Sequence, residues 1–115
     1  MMNQNESQTE QRWQDLLLML KERFGKEPNM EAILFLIGIN EYRGRMPMHK
    51  FSKEQKQDLM HVAVCTLLSD EGFFELENYD EEGWPHFTQL KANTPADLAG
   101  QEDLLRDKIL TYFDY

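Results

Sequence analysis

The stretch Met30-Glu31-Ala32-Ile33-Leu34-Phe35-Leu36-Ile37-Gly38-Ile39 decides how this chain folds, because it is apolar nearly all round. A single apolar stripe buries one face of an element, whereas an apolar circumference needs neighbours on several sides. A short run rich in Ile and Phe suits a buried strand as well as a buried helix. The flanks favour helix: from Asn29, a good N-cap residue, to Gly44 the segment is too long for a strand. The spacing therefore predicts a helix over about 29–43, stopped at Gly44. The run carries Glu31 and has about half the length of a bilayer span, so it is no membrane segment. Gly38 costs a helix about 1 kcal/mol relative to alanine, which predicts a close crossing of another backbone at that point.

Upstream, Ser7 and Glu10 form a capping box expected to open a first helix near Gln8. Trp13, Leu17, Leu20 and Phe24, with Leu16 beside them, make one apolar stripe that ends at Gly25 and Pro28. Leu18 and Met19 lie off that stripe and suggest a second contact. Downstream, Ser52 and Gln55 form another capping box, opening a helix expected to end near Asp70, before Gly72. Phe73 to Tyr79 and Trp84 to Leu90 flank Asp80-Glu81-Glu82-Gly83 and read as a β-hairpin. A four-residue loop sets Tyr79 opposite Trp84 and Leu76 opposite Phe87. A three-residue loop, with Gly83 in a bulge, shifts that pairing by one residue. Thr94-Pro95-Ala96-Asp97 reads as a capped turn into a last helix, about 101–113, with Leu98, Leu105, Ile109, Tyr112 and Phe113 on one face. The expected fold is mainly α (α+β): about four helices around the central apolar helix, with one antiparallel hairpin packed against them. A flexible tail over 1–7 would precede a single domain over 8–115, the hairpin lying at about 73–90.

With 115 residues, 41% hydrophobic and 11% aromatic, the chain can bury one ordinary core despite a net charge of −9. Twelve basic residues against 21 acidic ones repel phosphate backbones and anionic lipid, so neither nucleic acid nor a membrane is an expected partner. Cys65 stands alone, which excludes an internal disulfide. The first eleven residues have no basic stretch followed by an apolar run, so a cytoplasmic location is expected.

Charge is segregated. Arg43, Arg45, Lys50, Lys53 and Lys56, with His49, face Glu54 alone over 43–56. From Gln57 to Leu90 come Asp58, Asp70, Glu71, Glu75, Glu77, Asp80, Glu81 and Glu82, with no Lys or Arg. The basic loop suits an anion or an acidic partner, near the N-terminal amides of the following helix. The acidic hairpin suits a basic partner or a second copy of the chain, although carboxylates also solvate a hairpin and blunt its edges. Tyr79, Trp84 and His86 would share a hairpin face with Glu75 and Glu77, and rigid rings are common binding anchors. Glu77 opposite His86 would raise that histidine's pKa.

Asp58, His61 and Cys65 span an arc of about 60° on one helix, an arrangement compatible with a metal site or an activated thiol. The simpler reading is a histidine paired with Asp58 and a cysteine acting as a small hydrophobe. No Cys-x-x-Cys or His-x-x-x-His accompanies them, so no metal is expected. Met46, Met48 and His49 are soft ligands of the kind that hold Cu(I), and equally flexible cover for a core edge. Gly-rich phosphate loops, His-Glu-x-x-His, Gly-x-Ser-x-Gly and EF-hand loops are absent, leaving no cofactor and no catalytic residue to expect.

The segments Phe51-Ser-Lys-Glu-Gln-Lys-Gln-Asp-Leu-Met-His-Val-Ala-Val-Cys65 and Asp80-Glu-Glu-Gly-Trp-Pro-His86 resemble parts of a small, uncharacterised bacterial protein family. The likeness covers roughly the second helix to the C-terminus and implies a bacterial, cytoplasmic origin; it carries no activity. The expected function is that of a small non-enzymatic interaction protein, self-associating or binding a protein partner, through Arg43, Arg45, His49, Lys50, Tyr79, Trp84 and His86. A metal- or thiol-dependent enzyme centred on His61 and Cys65, and a small-anion binder using 43–56, are the alternatives.

Overall fold

The structure, a computed structural model, describes residues 4–45, 50–90 and 98–115, with the backbone alone at 4–7 and 98–101. Among these residues the elements run α1 (Gln4–Phe24), α2 (Met30–Glu41), α3 (Lys53–Ser69), β1 (Phe74–Tyr79), β2 (Pro85–Gln89) and α4 (Leu98–Phe113). This is the mainly α fold with one antiparallel hairpin that the pattern predicts. The chain divides into two compact units, one over 1–29 and 95–115, the other over 30–94. No helix among the described residues is long and apolar enough to cross a membrane.

The first unit holds α1 and α4. On α1, Trp13, Leu16 and Leu20 are buried, and on α4 Leu105, Ile109 and Leu110 are buried. Arg106 lies over the Trp13 ring, 5.1 Å from its centroid, and Arg12 Nε donates to the main-chain oxygen of Tyr115 at 2.6 Å. Phe24, expected in the stripe, is 53% exposed, because the helix ends there and Gly25 turns the chain at φ +91°. α1 also starts at Gln4, ahead of the Ser7–Glu10 box, which therefore lies inside the helix; Gln and Glu extend it readily. Leu18, off the stripe as the pattern indicates, is exposed. The Thr94–Asp97 turn lies outside the described residues.

In the second unit, α2 buries Ile33, Leu34, Ile37 and Gly38. A β-carbon on Gly38 would run into the main-chain carbonyl of Leu59 on α3, so this glycine is where the two backbones cross. α2 stops at Glu41 rather than near Arg43, because the N–H of Arg43 donates to the carbonyl of Gly83 at 2.9 Å instead of continuing the helix. α3 begins as its capping box dictates: Gln55 N donates to Ser52 Oγ at 3.1 Å, and Ser52 N to Gln55 Oε1 at 2.9 Å. Such a cap is worth about 1 kcal/mol. α3 then buries Leu59, Val62, Ala63, Cys65, Leu67 and Leu68 before Asp70 caps it.

Neither hairpin register expected from sequence holds throughout; each holds in one half. Next to the turn, Asp80 N donates to Trp84 O and Gly83 N to Asp80 O, a three-residue loop closed by Gly83 at φ +93°. Tyr79 pairs with Pro85 and Asn78 with His86. Farther out, Leu76 pairs with Phe87, Glu75 with Thr88 and Phe74 with Gln89, as a four-residue loop requires. A bulge between Leu76 and Asn78 takes up the difference at Glu77.

Candidate functional site

The hairpin turn is built around Asp80. Its Oδ1 accepts from the amides of Glu82 and Trp84, both at 2.9 Å, and its Oδ2 accepts from His86 Nε2 at 2.9 Å. One carboxylate thus holds the turn and fixes the histidine of the returning strand. The hydrogen bond from His86, followed by those from the Trp84 and Glu82 amides, holds the Asp80 carboxyl below the usual carboxylate range. A depressed folded-state pKa contributes stability that is present above the ordinary aspartate value of about 4 and is lost as pH falls through the lower folded value. We expect acidification below that range to lower the protection of the Glu82 and Trp84 amides, each exchange rate being taken relative to the unstructured-chain rate at the same pH, and Asp80→Ala to produce the same loss at neutral pH. NMR exchange measurements check both; amides as protected in Asp80→Ala as in the native protein would show that the turn does not depend on this carboxylate.

The turn is clasped from the side by the segment after α2. Besides the main-chain bond from Arg43 to Gly83, the Arg43 guanidinium lies 3.9 Å from the centroid of the Tyr79 ring. Such a cation–π contact is worth about 0.5–1 kcal/mol when exposed. Gly44 meets Glu82 and Gly83 so closely that neither glycine has room for a β-carbon. Tyr42 joins the same contact: its ring is 4.8 Å from that of Trp84 and 6.3 Å from that of Phe51, which in turn meets Phe35 at 5.9 Å. A row of aromatic rings therefore connects α2, the start of α3 and the hairpin.

Among the described residues of this unit, two of the grooves adjoin the hairpin. The first, about 610 Å³, is lined by Tyr42, Arg43, Gly44, Arg45, Tyr79 and the turn from Asp80 to Gly83. It sets Arg43 and Arg45 among Asp80, Glu81 and Glu82, so an entering anion meets three carboxylates along with two guanidinium groups. The second, about 440 Å³, lies between α3 and the hairpin and is lined by His61, Val62, Cys65, Phe74, Pro85, His86, Phe87 and Gln89. Val62, Cys65 and Pro85 are buried, whereas His61, His86 and Gln89 are exposed.

Cys65 in that groove is not set up as a nucleophile. Burial pushes its thiol up to about 11, so it stays protonated at neutral pH, the opposite of what thiolate chemistry requires. Its Sγ lies 3.6 Å from Nε2 of His61. Asp58 is exposed and makes no hydrogen bond to His61, which overturns the expected Asp58–His61 pair. Although the three residues share an arc, seven positions of helix separate the first from the last by about 10 Å along the axis. Among the described residues no group of three His, Cys, Asp or Glu side chains is placed to hold a metal.

The structure brings together Arg43, Tyr79, Trp84 and His86, but not on one face. Opposed residues in an antiparallel pair share a side, so the bulge at Glu77 leaves Trp84 and His86 on the side opposite Tyr79. The expected pair of His86 with Glu77 is replaced by Asn78 across the strands and Asp80 as the hydrogen-bond partner. Arg45 and Lys50 are exposed. His49, with Met46 and Met48, lies outside the described residues. Sequence reading missed Asp80 and Tyr42. Asp80 was detectable, since an aspartate opening an Asp-x-x-Gly turn tends to bond amides two residues on; Tyr42 carries no such local signal.

Compared with protein-family models, with curated proteins and with solved structures, the chain has no match.

Proposed function

We propose that this protein is a small non-catalytic interaction module of bacterial, cytoplasmic origin, which binds a protein partner or a second copy of itself through the hairpin. The observation that carries this reading is Leu76. It is 43% exposed between Glu75 and Glu77, on a hairpin whose turn and flank are held by Asp80, His86 and Arg43. Leu90, at the end of the same hairpin, is 54% exposed. A fixed surface that mixes apolar and charged groups loses little freedom on binding, which favours association over chemistry. The protonated Cys65 thiol supports this reading over a thiol enzyme. The carboxylates beside Arg43 and Arg45 support it over a small-anion binder.

The test is site-specific photo-crosslinking in cells, with p-benzoylphenylalanine at position 76 and, as a control, at the exposed Glu22 of α1. A discrete product from position 76, to itself or to one other protein, is expected, with none from position 22. Absence of a product from position 76, together with a monomeric mass by sedimentation from micromolar to millimolar concentration, would overturn the proposal.

A further inference from the structure

We infer that two copies of this chain pair about a two-fold axis through the groove between the hairpin turn and the segment after α2, with Arg45 of each copy meeting Glu81 and Glu82 of the other; this rests on reading the chain as an interaction module. Along the sequence the charges are kept apart, basic over 43–56 and acidic over 57–90, yet both signs line this one groove of about 610 Å³. They are not spent on each other. Arg45, Glu81 and Glu82 are exposed, and among the described residues none of these three side chains is in an ion pair. Arg43 lies on the Tyr79 ring, and the Asp80 carboxylate is committed to His86 and the turn amides. The uncommitted charges of the groove are therefore one cation and two anions.

Both signs on one surface select a second copy. A purely basic segment is repelled by Arg43 and Arg45, and a purely acidic one by Glu81 and Glu82. In a two-fold interface residue i of one copy meets residue j of the other, and j meets i. A surface that holds both members of an ion pair is thus its own complement, and the pairing forms twice. Repulsion between two copies of net charge −9 is screened beyond about 8 Å at physiological salt, whereas the paired groups are in contact. The groove also has the side chains that anchor protein interfaces: Tyr42 and Tyr79 are half-buried on its walls beside the two arginines, and Tyr and Arg are enriched among such anchors. Its shape is set before any partner arrives. The bond from Arg43 N to Gly83 O, at 2.9 Å, and the close packing of Gly44 on Glu82 and Gly83 fix both walls, so little freedom is lost on pairing.

The test is charge exchange, read by sedimentation of the full chain at physiological salt from micromolar to millimolar concentration. The native chain should dimerise in that range. Arg45→Glu and Glu81→Arg/Glu82→Arg, both changed at exposed positions, should keep dispersed amide spectra and each lose at least tenfold in dimer affinity, because like charges then meet across the axis. An equimolar mixture of the two variants should recover the lost affinity, since every pair re-forms with its signs exchanged. Independently of any variant, diluting the isotopically labelled native chain should move the amide signals of Arg43, Arg45, Glu81 and Glu82. Variants that dimerise like the native chain, a mixture that pairs no better than its components, or dilution shifts confined to other residues would each overturn the assignment. A monomeric native chain whose position 76 still crosslinks to another protein would remove the second copy and leave the interaction reading standing; a monomer with no crosslink would remove both.

Discussion

Gly38→Ala lowers the thermal midpoint of the 30–94 unit by roughly 8–16 °C, although alanine is the better helix former. On an exposed helix the exchange would stabilise by about 1 kcal/mol. Here the new methyl group points at the main-chain carbonyl of Leu59, with the carbonyl carbon only 2.6 Å away. A side chain could rotate aside, but a carbonyl inside α3 can move only with its helix. Overpacking costs about 1–3 kcal/mol and occasionally more, and the rigid neighbour places this site at the top of that range. The net loss is about 2 kcal/mol after the propensity gain is subtracted. In a domain of about 60–100 residues each kcal/mol moves the midpoint by roughly 4–8 °C. Melting followed by circular dichroism measures it, and a midpoint equal to or above the native one would show that α2 and α3 do not cross at Gly38.

Gly83→Ala is expected to release the hairpin from the segment after α2. Two costs combine. At φ +93° a β-carbon is strained by about 1–2 kcal/mol, and it would also meet the main chain of Gly44 and Arg43. Relieving that clash breaks the hydrogen bond from Arg43 N to Gly83 O, worth about 0.5–1.5 kcal/mol. The total is about 1.5–3.5 kcal/mol. Gly25 supplies the control, because its φ is +91° yet nothing lies within 4 Å of a β-carbon there. Gly25→Ala should therefore show the backbone strain alone, about 1–2 kcal/mol. During urea unfolding, Trp84 fluorescence in a Trp13→Phe background reports the unit that holds Gly83, and Trp13 fluorescence in a Trp84→Phe background reports the unit that holds Gly25. Equal losses at the two glycines would mean that the contact with Gly44 contributes nothing.

Much of the fold was legible because its determinants are local. The Ser52–Gln55 box involves groups three residues apart, and α3 starts and ends where the pattern places it. Gly38 marked the helix crossing because a glycine in an apolar helix needs a reason of that kind. The hairpin was legible in position but not in register. Two turn geometries suit Asp80-Glu81-Glu82-Gly83, and the bulge at Glu77 reconciles them only once Leu76 and Phe87 are paired. The burial of Phe24 was misjudged because periodicity continues to the end of a helix whether or not a neighbour covers its last turn.

By itself, then, the sequence determined the helices, the caps, the presence of a hairpin and the segregation of charge around Gln57, since each is set by residues within a few positions of one another. Only the tertiary structure decided what the hairpin carries. The pairing of His86 with Asp80, Arg43 over Tyr79, Tyr42 against Trp84, and the groove beneath Phe87 all depend on how the elements meet. Arg43 and Gly83 stand forty residues apart in sequence and share a hydrogen bond. Propensity and periodicity act along the chain, whereas such a contact exists only after α2, α3 and the hairpin have packed around Gly38, Gly44 and Gly83.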